Sequence, residues 1–181
     1  AVGLAVAALT AVGFLTDRIG KAVARQANEV LAADLRLRSQ EPNPAEWSEL
    51  AVEYGLYTAR TMSFPSVVFA GEESALASIT VVSDAYPLRG TVRVSDQLFG
   101  EQREVDGVPE PGEIWADGGL LDGVAADVGV LLSIGEFDLR VSAVLTYRTD
   151  QSIGFASLAP SLLMSEEDIA RSGLIGEGSR V

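Results

Sequence analysis

Residues 1–16, AVGLAVAALTAVGFLT, contain no charged side chain, and no other feature of the chain restricts its fold so strongly. As a helix this stretch rises about 24 Å at 1.5 Å per residue, short of the roughly 20 residues that cross a bilayer core. Three readings compete: the C-terminal part of a transmembrane helix, the apolar core of a signal peptide, or a buried helix of a soluble domain. A signal peptide fits worst, because no basic region opens the stretch and Gly13-Phe14-Leu15-Thr16 is not a small-residue cleavage site. The residues that follow favour the first reading. Ile19, Ala22, Val23, Ala27, Val30 and Leu31 fall on one helical stripe, with Arg18, Lys21, Arg25 and Glu29 off it. No proline interrupts residues 1–33. The simplest object is one long helix: residues 1–16 as the end of a membrane span, then 17–33 as an amphipathic stalk. A long helix packed on a soluble sheet stays open as the alternative.

Charge is distributed to match. Residues 17–38 carry five basic and three acidic groups, while the whole chain has 13 basic and 26 acidic ones, so the net charge of −13 belongs to the part beyond the stalk. A charge of that sign repels phosphate backbones, and nucleic acid is not expected as a partner. The chain has no Cys and no His, which removes disulfides, thiol nucleophiles, imidazole bases and ordinary zinc sites.

Past residue 33 the period changes. Asp34-Leu35-Arg36-Leu37-Arg38 alternates as a half-buried strand does. Asn43-Pro44 with Glu46 opens a helix whose apolar face is Trp47, Leu50, Ala51 and Tyr54, closed by Gly55. Residues 34–62 thus read as strand, helix, strand. Strands are predicted in LYTARTMSF, in SVVFAG after Pro65, in ALASITVVSD, and in TVRVSD after the Tyr86-Pro87 turn. The acidic loop 99–113, with two prolines, predicts a boundary between subdomains at 34–98 and 99–181. Beyond it come a strand EIWAD, a short helix in GGLLDGVAAD, and a hairpin VLLSI-GE-FDLRVSAVLTYR with Leu139 and Val141 facing inward. Ser165-Glu166-Glu167-Asp168 caps a last short helix ending near Gly173. No internal repeat is visible. The fold class expected is α+β: a βαβ element, a small mostly-β subdomain, and a long N-terminal helix.

No chemical constellation stands out. The paired carboxylates, Glu72-Glu73, Asp117 with Asp122 and Glu166 to Asp168, are explained by caps and solvation, since nothing in their spacing separates two pKa values as acid–base catalysis requires. Acids between Glu101 and Asp138 lack calcium-loop spacing, and no phosphate-loop motif is present. A Ser–Lys dyad would have to use Lys21, on the stalk. No catalytic, cofactor-binding or metal-ligating residue is therefore assigned, and an enzyme is not expected.

The order of TDRIGKAVARQANEVLAADLRLRS, VVSDAYPLRGTVRV, GEIWADGGLLDGVAADVGVLLSIGEFDLRVSAVL and GFASLAPSLLMSEEDIARSGLIGEGSRV resembles a known arrangement. It is similar to the extracytoplasmic domain of MacB/FtsX/LolC-type (type VII) ABC transporter permeases, nearest their YbbP-like branch. The turn Asp84 to Gly90, the strand around Leu162-Leu163-Met164 and the terminal Gly178-Ser179-Arg180-Val181 carry most of the likeness. The resemblance implies a domain on the periplasmic side of a bacterial inner membrane, with porter-like α/β and small β-rich parts. It also implies a cytoplasmic ABC ATPase subunit, a second permease copy forming a dimer, and a hydrophobic, amphipathic or lipid-like cargo. Coupling would run through a stalk whose stripe, Ile19, Val23, Ala27 and Val30, packs on a neighbouring stalk. The charge of the acidic loop leaves two readings, a solvated face or a docking site for an extracytoplasmic partner, and the resemblance implies that the chain continues past Val181 into a further porter unit. A soluble α+β binding or regulatory module is the alternative.

Overall fold

The computed structural model describes residues 3, 10–19, 21, 32–39, 43–151 and 159–172. In chain order the elements are helix α1 (10–19), helix α2 (Ala45–Glu53), and strands β1 (Thr61–Ala70), β2 (Glu73–Val82), β3 (Val92–Ser95), β4 (Gln102–Val105) and β5 (Glu113–Asp117). Helix α3 (Gly118–Gly123), strands β6 (Leu131–Ile134), β7 (Phe137–Arg148) and β8 (Ser161–Ser165), and helix α4 (Glu166–Ser172) follow.

Two Gly-Glu pairs reverse the chain. Gly71 and Gly135 take φ of 62° and 63° at the first position of two-residue loops, a backbone state that glycine enters without the clash a side chain brings. The hairpins they make, β1–β2 and β6–β7, meet edge to edge where β1 pairs antiparallel with β6. β2 takes β8 in parallel on its other side, β7 takes β5 in parallel, and β5 and β8 pair antiparallel. The ladder returns to its start, so these six strands close a barrel. β3 and β4 form a wing that extends from the second half of β7. Strands from both sides of residue 98 belong to this one sheet.

The barrel has a two-fold pattern. Each half is a Gly-Glu hairpin whose second strand holds a short parallel strand, and each short strand runs directly into a helix, β5 into α3 and β8 into α4. Trp115 and Leu163, the middle residues of β5 and β8, are paired across the axis.

Alternation decides what fills it. Ile79, Val81, Ile114, Ala116, Val141, Leu162 and Met164 point inward with Leu120 and Leu121 of α3, all fully or nearly buried. Leu163, Trp115, Ala143, Leu145 and Val82 leave the opposite face and form a second core with Tyr86, Val92 and Val94. A register shift on β7 opposite Ile114/Trp115 turns Val144 inward after Val141.

The mixed α/β character is as expected, but the βαβ element is not. Residues 35–39 form no strand, and Leu35 and Leu37 are exposed, because no described strand lies beside them to pair. The strand after α2 pairs antiparallel with its successor instead. Pro65 does not divide two strands: it lies inside β1, where β6 reaches only Val68 and Phe69 and no other described strand pairs that edge, so the missing N–H forfeits no ladder bond among the described strands. The acidic loop contains β4, which pairs with β3 and is held by Arg93–Glu104 and Arg103–Asp96 ion pairs. The long stalk helix is not shown: residues 10–19 are helical and exposed, and most of 17–33 lies outside the described residues. Among the described residues no helix is long and apolar enough to cross a membrane.

Candidate coupling junction

Of the four stripe residues, Ile19 is helical and exposed, while Val23, Ala27 and Val30 lie outside the described residues. The structure does show where the segment after them meets the barrel. Residues 32–34 make a turn with Ala32 at φ 55°, a left-handed state through which an α-helix does not continue. An α-helix therefore cannot run on through residue 32.

Ala32 is buried in the second core beside Tyr86. Its carbonyl accepts the Arg89 backbone N–H at 2.9 Å. The Arg89 guanidinium donates to both Asp34 oxygens, Nε to Oδ1 at 3.1 Å and Nη2 to Oδ2 at 2.8 Å. Those hydrogen bonds hold the Asp34 carboxyl below its usual range against the opposing effect of desolvation, with a lesser contribution from the charge of Arg89. Both side chains are more than half exposed, so the pair fixes geometry more than it adds stability. The residues on the barrel side belong to the Asp84–Gly90 turn whose sequence carried the family resemblance.

That turn is clamped to the end of β7. The Tyr86–Pro87 peptide is cis, and the buried Tyr86 hydroxyl donates to Asp150 Oδ1 at 2.5 Å. Burial, then the charge of Asp150, raises the phenol pKa far above its ordinary value, so Tyr86 stays a donor. Arg148 Nε lies 3.6 Å from the same Asp150 oxygen. Gly90, at φ 84°, presses against Thr149, and the Thr149 hydroxyl accepts from Thr91 N and donates to Thr91 O, both at 2.8 Å. On the strand side, Ser83 N–H donates to Arg60 O and Ser83 Oγ accepts from Arg60 N. Residues 32–34 are thus connected to the end of β7 through Ala32, Arg89 and Tyr86.

Three further carboxylates connect separate elements. Asp117 Oδ1 caps α3 by accepting from Leu120 N at 2.7 Å, and its Oδ2 accepts from both Ser161 N and Ser161 Oγ. A cleft of about 480 Å³ opens beside it, lined also by Leu98, Phe99, Gln102, Thr146 and Gln151. Its carboxylate is already occupied by these bonds, and among the described residues no cluster of acids could hold a metal ion. Asp168 Oδ1 and Oδ2 accept from Gly112 N, and Glu113 pairs with Arg140. Sequence reading singled out the Tyr86-Pro87 turn but missed the partners Asp150, Thr149 and Arg148, because nothing local marks a strand end as the receiver of a turn 60 residues earlier.

No family model matches the chain. Over all 181 residues it is 30% identical to part of the protein described as an uncharacterized ABC transporter permease YbbP of Escherichia coli (strain K12). The chain spans 22% of that relative's length. Over its whole length, then, the chain is similar to one domain-sized stretch of a YbbP-like ABC transporter permease, as its motifs led us to expect.

Proposed function

We propose that the chain is the extracytoplasmic domain of an ABC transporter permease, coupling cytoplasmic ATP hydrolysis through a stalk to export or extraction of a hydrophobic or amphipathic cargo. The observation that carries this reading is the whole-length identity to a permease segment. The division into a span over 1–16, a stalk over 17–33, a porter-like part over 34–98 and a β-rich part over 99–181 goes with it, the last two contributing strands to the one barrel. Its partners are then an ABC ATPase subunit on the cytoplasmic side and a second permease copy, in a bacterial inner membrane. The domain has no catalytic task of its own.

The junction supports the reading, since it ties the end of the N-terminal segment to the barrel through a buried contact and a two-pronged ion pair. Helix α2 supports it too. Trp47, Leu50 and Tyr54 form the expected amphipathic face, yet they are 50%, 51% and 75% exposed, as are Leu56 and Tyr57 at 61% and 91%. Apolar side chains in such a run are covered by something in the working protein, as a porter-like unit completed by another segment would do.

Two measurements test the proposal in the full-length permease with its ATPase. In a cysteine-free background, Glu72→Cys should react with a membrane-impermeant maleimide in spheroplasts without permeabilisation. Labelling that requires permeabilisation would place the domain on the other side. Val23→Arg should leave ATP turnover running while cargo movement fails, with the melting temperature of the isolated chain unchanged. A large drop in that melting temperature would make the segment a core helix of a soluble module and end the stalk reading.

A further inference from the structure

The outer wall of the barrel carries an apolar patch that neither core uses. Register sets Leu76 beside Val67, and it lines up Ser74, Phe69, Ser133 and Asp138 in one row across β2, β1, β6 and β7. Leu131 is two residues along β6 from Ser133 and so leaves the same face. Leu76 is 64% exposed, Leu131 57%, Phe69 45% and Val67 42%. Their inward neighbours Val68, Ala77 and Leu132 are buried, so alternation is intact and the outward positions are apolar by composition, not by a slipped register. A barrel wall facing only water would carry polar residues there. Four large apolar groups on three adjacent strands form a contiguous patch.

Its rim is acidic. Glu72 at the first hairpin turn, Glu136 at the second, and Asp138 at the end of the row are all exposed. Arg140, which the register places beside Leu131, is taken up by Glu113. A second copy would bring the same acidic rim against this one, and an anionic lipid surface would bring like charge as well. β2, β1 and β6 span about 10 Å centre to centre at their usual spacing, which is about the width of a single helix with its side chains.

We propose that this wall is a docking surface for a partner protein, engaged through an amphipathic helix whose apolar stripe is flanked by Lys or Arg. The chemistry of the patch stands whether or not the chain serves a transporter.

The test uses the 181-residue chain with an amphipathic Leu/Lys helical peptide, a Leu/Glu peptide with the same apolar face, and vesicles of anionic phospholipid. The Leu/Lys peptide should bind at least about tenfold tighter than the Leu/Glu peptide, with the amide resonances of residues 67–76 and 131–138 moving most. The double variant Phe69→Ser/Leu76→Ser should lose about tenfold in affinity while still unfolding cooperatively. Glu72→Lys/Glu136→Lys leaves the packing untouched and should reverse the preference between peptides. Equal binding of both peptides, indifference to both variants, self-association abolished by Phe69→Ser/Leu76→Ser, or vesicle binding abolished by it would each overturn the proposal.

Discussion

Gly90 stands at φ 84° with the Thr149 side-chain atoms 2.3 to 2.7 Å from where a Cβ would sit. Gly90→Ala therefore meets both an unfavourable backbone state and a packed neighbour whose hydroxyl is committed to Thr91. Urea unfolding should show a loss of about 1–3 kcal/mol. Gly119→Ala, in α3 with only ordinary contact to Asp117, should be neutral or stabilise by up to about 1 kcal/mol. Asp34 and Glu113 give a second test at this scale. Hydrogen bonds from Arg89 and Arg140 lower their pKa values from the ordinary 3.8 and 4.5. A carboxyl lowered by folding stabilises the native state above its unfolded pKa, and that contribution fades as pH falls through the native value. The melting temperature of the parent chain should accordingly drop more steeply below about pH 4 than that of Asp34→Asn/Glu113→Gln, with the two profiles parallel above pH 5. Parallel profiles down to pH 2 would show that the ion pairs persist little in solution.

Among the elements, α3 and β8 share the barrel core and are also tied by one polar side chain. Asp117 caps the helix and anchors Ser161 at the start of the strand that pairs with β2 and β5. Asp117→Ala removes a cap and leaves buried donors of Ser161 without their acceptor. Denaturant titration should register about 2–4 kcal/mol, with Ser161→Ala costing less because Leu120 keeps its cap. Much at this scale was legible in the sequence. The Gly135-Glu136 turn, the EIWAD strand with its following helix, and the Ser165 start of α4, where Ser165 Oγ accepts from Glu167 N, are local signals of turn and cap chemistry. Local signals fail where the outcome depends on a neighbour. Leu35 and Leu37 have strand periodicity but no described partner, and Pro65 reads as a break until one sees that no described strand pairs the edge of β1 beside it. The junction was half legible: the Tyr86-Pro87 turn declares itself, whereas its receivers on β7 depend on tertiary placement.

For the whole molecule, barrel closure and two-fold pattern were hidden, because the halves share a Gly-Glu turn and an alternation of apolar residues but little identity, and because parallel pairing of β5 with β7 has no short-range signature. The exposed face of α2 belongs to this scale as well. If another part of a larger protein covers it, Trp47→Ser/Leu50→Ser should leave the unfolding free energy of the isolated chain within about 1 kcal/mol and reduce its tendency to aggregate. The same change in a full-length permease should lower its detergent-solubilised melting temperature. An equal and large loss in both would mean that α2 packs within this chain.

β7 links the barrel to the wing, pairing with β5 and β6 of the one and β3 of the other. Its twelve residues cover about 40 Å at strand rise, from the Gly135 turn to the Tyr86 clamp, with β5 on one flank and β6 and then β3 on the other. A ribbon bonded along both flanks resists shear, because sliding it by one residue would exchange its inward and outward side chains. A load at Thr149 and Asp150 would thus be shared with β5, β6 and β3 along the ladder instead of drawing β7 past them. Displacement of the turn at residues 86–90 would then shift the barrel as one body, with β7 and its neighbours keeping their register.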